Sequence, residues 1–249
     1  MRKTFPKRAA IVLGAGEPGS AIALRLDQAG VAVVICDDVD PCPMRRGMSF
    51  VDAWYVGTAW LEETHATFCS SARSIPTVLA ATGGVAATSA SWRTVANALS
   101  PVAVIDARVA TPADDPLAGD DFRRSVVAPA AGRFHTMRTI GEFVLAGDAL
   151  GVLDGTTIVA PASGVLSGLS ARGCRVSTGM PVAEVDLRGQ RVRCFAVAPQ
   201  CELIANEVVE KVLAGKTVET WRGATRDVAR HAKIPCRNHS PSGPYTLSR

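Results

Sequence analysis

The sequence predicts an α/β fold, a mostly parallel sheet with helices on its faces followed by a small all-β module. Three observations carry that expectation. The first part of the chain alternates short apolar runs with segments of helical periodicity, the pattern of a parallel sheet covered on both sides. A glycine-rich turn separates the first apolar run from the first helical segment. Farther along, two glycine-punctuated segments repeat without a gap at a 32-residue interval, and units of that size close a core only when paired.

The chain has 249 residues, 47% of them hydrophobic, enough to bury one large core or two modest ones. The apolar stretch after the basic start MRKTFPKR runs only over residues 9–13, too short for a signal peptide or a membrane span. A soluble, cytoplasmic protein without membrane contact is therefore expected. Seven cysteines, at 36, 42, 69, 174, 194, 201 and 236, include no CxxC pair, so reduced thiols are expected rather than a disulfide framework or zinc ribbon. Among four histidines, His239 alone has metal-ligand spacing to a second strong ligand, Cys236, and no metal site is expected. Residues 215–249 carry seven Lys/Arg against two Asp/Glu, leaving −1 for the rest of a +4 chain. Such a tail is a solvated extension or a contact for an acidic partner, and nothing else points to nucleic acid.

Taken in order, residues 9–13 (AAIVL) read as a strand ending at Gly14-Ala15-Gly16-Glu17-Pro18-Gly19. Ala21, Ile22, Leu24 and Leu26 follow at helical spacing, Gly30 ends that helix, and a second strand over 31–36 closes on Asp37 and Asp38. Glycines permit a tight turn and close backbone approach, and a helix N-terminus offers N–H groups to an anion. In this strand, turn, helix, strand and acid order, residues 9–37 form the first unit of a Rossmann-like domain. Gly14, Gly16 and Gly19 are the candidate phosphate cradle, and Asp37 stands where an acid would hold a ribose. The ligand is a dinucleotide, NAD(P), or another phosphate-bearing molecule; the bland alternative is a turn that only packs helix on strand. Residues 75–81 continue the strand pattern to a Thr82-Gly83-Gly84 turn, a helix is expected over 89–99, and a buried strand over 102–106. Ligands in such sheets sit at carboxyl ends of strands, where Asp37, Thr82 and Asp106 are placed. Arg45, Arg46 and Arg108 suit phosphate or pterin-phosphate recognition, unless they pair with Asp37, Asp38 or Asp40.

Residues 126–153 and 158–185 share eight identities: Val127/Val159, Ala128/Ala160, Pro129/Pro161, Ala130/Ala162, Gly132/Gly164, Gly141/Gly173, Val144/Val176 and Gly147/Gly179. The doublet resembles the barrel-sandwich fold of biotinyl and lipoyl carrier domains, with an APxxG strand and a later glycine-bearing hairpin in each half. Those carriers bear their modified lysine on the joining hairpin, here Leu153-Asp154-Gly155-Thr156-Thr157. No lysine occurs between Lys7 and Lys211, so amide attachment of biotin or lipoate is excluded there. The expected units are a Rossmann-like domain (1–112), a linker (113–124), the barrel-sandwich module (125–190), a strand and helix (191–214) and the basic tail (215–249).

Over residues 9–213 the chain resembles the family of selenium-dependent molybdenum hydroxylase system proteins, accessory factors associated with xanthine-dehydrogenase-type enzymes. The GAGEPG turn, Arg45-Arg46 with Ser49-Phe50, Asp106-Ala107-Arg108, the APxxG doublet, and the run from Val185-Asp186-Leu187-Arg188-Gly189 to Cys194-Phe195 carry the likeness. Residues 109–124 are short and acidic where that family has a long glycine-rich stretch, and Ala205-Asn206-Glu207 stands in place of a GGG helix start. The resemblance implies a factor that matures or supplies a cofactor, binds a nucleotide or pterin-type ligand and docks a client enzyme, without an assigned catalytic residue. The alternative is an NAD(P)-dependent oxidoreductase acting on a small molecule. The candidate ligand-binding set is Gly14, Gly16, Gly19, Asp37, Arg45, Arg46, Ser49, Asp106 and Arg108.

Overall fold

A computed structural model describes residues 8–108 and 121–215. Most of the acidic segment and nearly all of the basic tail discussed above, with the Cys236/His239 pair, lie outside these residues.

Two short apolar runs make the centre of the first sheet, β1 (Ala9–Leu13) and β2 (Ala32–Cys36), and every residue of both is buried. Between them runs α1 (Glu17–Gln28), with Pro18 in its first turn, where a missing N–H costs nothing. The remaining strands are β3 (Thr58–Leu61), β4 (Thr64–Phe68), β5 (Val85–Thr88) and β6 (Ala103–Asp106), in the order β3-β4-β5-β2-β1-β6. All neighbours are parallel except β3 and β4, which form a hairpin at one edge.

Because strand side chains alternate, the sheet has two separate cores. Ala10, Val12, Val33 and Ile35 face α1, α2 (Asp52–Val56) and α5 (Pro199–Leu213). Ile11, Leu13 and Val34 face Ile75 and Leu79 of α3 (Ile75–Thr82) and Val95 of α4 (Trp92–Leu99). The C-terminal helix thus returns to the first sheet, and Arg25 of α1 pairs with Glu202 of α5 at 2.7 Å.

Two expectations are corrected, and one element was not foreseen. Residues 75–81 are helix rather than strand: Pro76 sits in the first turn of α3, where its fixed φ is helical, and the strand comes after Gly83-Gly84 as β5. The β3–β4 hairpin escapes the sequence pattern because its turn is Glu62-Glu63 with Glu62 at φ +51°, without the Asn or Gly that marks such turns. Residues 191–214 hold a 3-10 turn (Arg191–Cys194) and α5 but no strand. Phe195 packs instead against Gly47 and Gly141, and Ala205-Asn206-Glu207 falls inside α5 rather than at its start.

The rest of the described chain is antiparallel: β7 (Arg123–Val127), β8 (Gly132–His135), β9 (Phe143–Val144), β10 (Ala149–Leu153), β11 (Thr156–Val159), β12 (Gly164–Leu169), β13 (Arg175–Val176) and β14 (Pro181–Asp186). β7 begins at Arg123, inside the expected linker. One sheet has the order β11-β10-β8-β13 and the other β7-β14-β12-β9. Adding 32 to the residue numbers turns β7, β8, β9 and β10 into β11, β12, β13 and β14, so each sheet is the image of the other with its outer strands exchanged between repeats.

The hydrogen bonds obey the same rule. Gly147 N donates to Ala160 O at 2.8 Å and Gly179 N to Ala128 O at 2.8 Å; Gly141 N donates to Leu166 O and Gly173 N to Phe134 O. A register shift at Ala149/Gly151 recurs at Pro181/Ala183. Phe134, Leu150, Leu166 and Val182 are completely buried between the sheets.

Candidate functional site

The glycine turn lies at the carboxyl end of β1. Gly14 adopts φ +102°, a conformation that disfavours any side chain, and its N–H donates to Cys36 O at 3.0 Å. A methyl group on Gly19 would collide with the Gly14 carbonyl oxygen. Ser20 locks the turn from below: its hydroxyl donates to Ala15 O at 2.9 Å and accepts from Phe50 N at 2.9 Å. Gly16 occupies the N-cap of α1 without a side-chain cap, and a Cβ there would meet nothing nearer than Pro18 Cδ at 4.0 Å. The space beside Gly16 is therefore open at the start of α1, whose first turn offers one N–H fewer because of Pro18.

Asp37 is built into this turn. Its Oδ2 accepts from Ala15 N at 2.6 Å and its Oδ1 from Asp38 N at 2.8 Å. Burial raises its pKa above the usual carboxylate range, opposed by those two N–H donors and by the charge of Arg108. On the other side, Arg108 lays its Cγ over Gly14. Its guanidinium forms a fork on Asp106, with Nε to Oδ1 at 2.8 Å and a terminal nitrogen to Oδ2 at 2.6 Å. Arg108 is 61% exposed, so this guanidinium faces solvent while Asp106 holds it in place.

Six predicted residues, Gly14, Gly16, Gly19, Asp37, Asp106 and Arg108, thus meet at the carboxyl edge of β1, β2 and β6. Thr82 does not. It ends α3, with its hydroxyl at 2.9 Å from Val78 O. The residue that does end a neighbouring strand is Thr88, which donates to Cys69 O at 2.7 Å and accepts from Ala90 N. Beside it, Ser89 accepts from the Trp54 indole at 2.8 Å and donates to Asp38 O at 3.1 Å. The reading of residues 75–81 as strand concealed these two; the Gly83-Gly84 pair just before β5 was the available signal.

Arg45, Arg46 and Ser49 are placed elsewhere, at the seam between the first sheet and the β module. Arg45 is buried, with its guanidinium 3.1 Å from Glu17 Oε2 and 2.6 Å from Glu184 Oε2. Glu184, on β14, also accepts from Arg123 at 2.7 Å and from Ser167 at 2.7 Å. Burial pushes the Glu184 carboxyl up, but hydrogen bonds and charge from Arg45, with Arg123 and Ser167, bring it below its ordinary value. Arg46 donates to Leu169 O at 3.0 Å and pairs with Asp52. Ser49 is buried and donates to Arg46 O at 3.3 Å. The two arginines read as phosphate ligands are engaged with carboxylates and a carbonyl, joining turn, loop and module.

Glu17, Arg123, Ser167 and Glu184 were not singled out from the sequence. A lone glutamate in the apolar run PVAEVD was the one visible sign of a buried ion pair. Among the described residues no group of three or more His, Cys, Asp and Glu side chains is arranged to hold a metal. No helix among them is long and apolar enough to cross a membrane.

No protein-family model matches the chain. It is similar to the uncharacterized protein YqeB of Escherichia coli (strain K12), 23% identical over 254 residues, covering 82% of this chain and 47% of that one. The chain therefore spans about half the length of this relative. Among solved structures, an aspartoacylase family protein of Mesorhizobium loti aligns at 12% identity over 72% of this chain and 85% of that one, with a TM-score of 0.25.

Proposed function

We propose that this chain is a cytoplasmic accessory factor for a molybdenum hydroxylase or a related cofactor pathway. It binds a nucleotide or pterin-type cofactor at the glycine turn and docks a client enzyme through the β module. In this reading the first sheet is a Rossmann-like domain, supported by the β5-β2-β1-β6 order with the turn after β1. The module is a lysine-free barrel-sandwich, supported by the matched hydrogen bonds of its two repeats. The observation that carries the function is the uncapped N-terminus of α1, open at Gly16 and flanked by Asp37 and the exposed Arg108. A phosphate there meets aligned N–H groups and a guanidinium already oriented by Asp106.

A second reading, an NAD(P)-dependent oxidoreductase, draws on Asp37, whose position at the end of β2 suits a ribose diol. Turnover separates the two, because the accessory factor binds without consuming its ligand.

The test is a thermal-shift panel with NAD, NADH, NADP, NADPH, ATP, CTP and GTP on the full chain and on Gly16→Val. A ligand at one hundred times its dissociation constant adds about 2.7 kcal/mol, roughly 5–10 °C for a chain of this size. The expected result is a shift with one nucleotide class, lost in Gly16→Val while the ligand-free Tm stays within about 2 °C. An equal shift in the variant removes the glycine turn as the site. Silence across the panel removes common nucleotides as ligands.

A further inference from the structure

The two repeats of the β module carry equivalent surfaces, and the protein's own chain fills one of them. On the second repeat, the loop after β2 lies along the end of β12. A Cβ on Gly168 would stand 3.2 Å from Met44 Cγ and 3.5 Å from Arg45 Cγ. Leu169 N donates to Met44 O at 2.6 Å, Leu169 O accepts from Arg46 Nε at 3.0 Å, and the Arg45 guanidinium ends on Glu184 at 2.6 Å. Under this cover residues 167–170 are all buried.

Thirty-two residues earlier, the counterparts of Gly168, Leu169 and Glu184 are Thr136, Met137 and Val152. These three line a cavity of about 500 Å³ on the first repeat, together with His135, Gly151 and Arg172. Met137 is 84% exposed and Val152 40%, and the Met137 backbone makes no hydrogen bond among the described residues. The charge of the lining differs as well. Val152 replaces the carboxylate that receives Arg45. Arg138 is held by Glu142 at 2.5 Å and by Asp148 at 3.5 Å. Arg172 instead lies 3.6 Å from the Met137 sulfur, with no carboxylate against it among the described residues.

We propose that this first-repeat groove is a peptide-binding site, which takes a short acidic segment of the client in the way that the second repeat takes residues 42–46. The inference deepens the docking half of the proposed function and rests on it. The N–H and carbonyl of Met137 bond the peptide backbone as those of Leu169 bond Met44 and Arg46, and main-chain bonds of this kind supply affinity while the neighbouring walls supply specificity. At the position matching Met44, Thr136 stands where Gly168 has no side chain, its hydroxyl used on Leu150 O at 2.5 Å, so a small residue fits. At the position matching Arg45, Val152 favours an apolar side chain. At the position matching Arg46, a carboxylate meets Arg172, which lies beside Met137, in a charge-assisted pair.

Fluorescence anisotropy on the nucleotide-free full chain tests this with two labelled octapeptides that copy residues 40–47. Both carry Cys42→Ser, Met44→Ala and Arg45→Leu; one carries Arg46→Glu and the other Arg46→Lys. The glutamate peptide should bind at least about ten-fold tighter than the lysine peptide, the worth of one hydrogen bond between charged groups. In the full chain, Arg172→Glu should reverse that preference. Arg172 is exposed, so the variant opens no cavity in the core, and an unchanged Tm checks its folding. Equal binding of the two peptides, a preference unchanged in Arg172→Glu, or no binding of either at millimolar concentration would overturn the proposal. Full competition by free glutamate at the peptide's own concentration would overturn it too, by making the groove a site for small anions. Because no nucleotide is present, failure of the groove leaves the glycine-turn result standing, and silence in the nucleotide panel leaves this one standing.

Discussion

Replacing Glu184 with glutamine probes the seam at its most buried charge. The side chain is 2% exposed and receives Arg45 at 2.6 Å, Arg123 at 2.7 Å and Ser167 at 2.7 Å. Glutamine keeps the volume, so no cavity opens, but one carboxylate oxygen becomes an NH2 group facing a guanidinium. Two buried arginines then lose the carboxylate they share, although Arg45 still has Glu17 at 3.1 Å. Breaking a buried pair in this way costs about 3–5 kcal/mol, which lowers Tm by roughly 6–20 °C in a chain of this size. The pH dependence supplies a second readout. With its folded pKa below the ordinary value, Glu184 contributes stability that is present at neutral pH and is lost as pH falls through the folded value. Glu184→Gln should therefore be less stable than the parent at pH 7 and should lose part of the parent's decline below the ordinary carboxylate range. Differential scanning calorimetry at a series of pH values measures both. A drop under about 2 °C at pH 7 with an unchanged acid limb would refute the idea that this network holds turn and module together.

Asp37→Asn should weaken the nucleotide that raises Tm by about ten-fold in calorimetry, the worth of hydrogen bonds to a charged acceptor; unchanged affinity would confine Asp37 to bracing Ala15 and Asp38. Hydrogen exchange should show slower amide exchange in β12 and β14 than in their repeat mates β8 and β10, and equal protection would contradict the packing difference between the two halves.

The opening unit was legible because several independent signals coincide within residues 9–37. Two apolar runs, a glycine turn, helical spacing and a closing acid all point the same way, and β1, α1 and β2 follow them within a few residues. The 32-residue repeat was legible for a similar reason, since its identities fall on Gly141/Gly173 and Gly147/Gly179, where positive φ and turn hydrogen bonds recur. What the sequence hid is long-range and polar. Arg45 and Arg46 look the same as phosphate ligands or as seam residues until Glu184, 139 positions from Arg45, and Leu169, 123 positions from Arg46, are known to lie against them. Local pattern also failed where one run suits two structures. Residues 75–81 are apolar enough for a buried strand, and only Pro76 at the start hints at the helix that forms.

The module's backbone symmetry and its side-chain asymmetry have different origins. The hydrogen-bond lattice repeats because glycines, turns and a bulge recur 32 residues apart. Burial does not repeat. β12 is buried at all six positions, whereas its repeat mate β8 has one buried residue in four, Phe134. The difference lies in what covers them. Gly168 of β12 is close enough to Met44 and Arg45 that a Cβ would touch both side chains, Leu169 bonds the Met44 backbone, and Ser167 joins the Glu184 network. The second repeat therefore has its outer face used by the loop after β2, and a duplicated lattice can diverge in this way because backbone bonds constrain only the spacing of the turns. The first repeat keeps a solvent-facing surface on which Met137 and Val152 are exposed. If the module docks a client, the geometry leaves this first-repeat surface for it, since the equivalent surface of the second repeat already holds the protein's own loop.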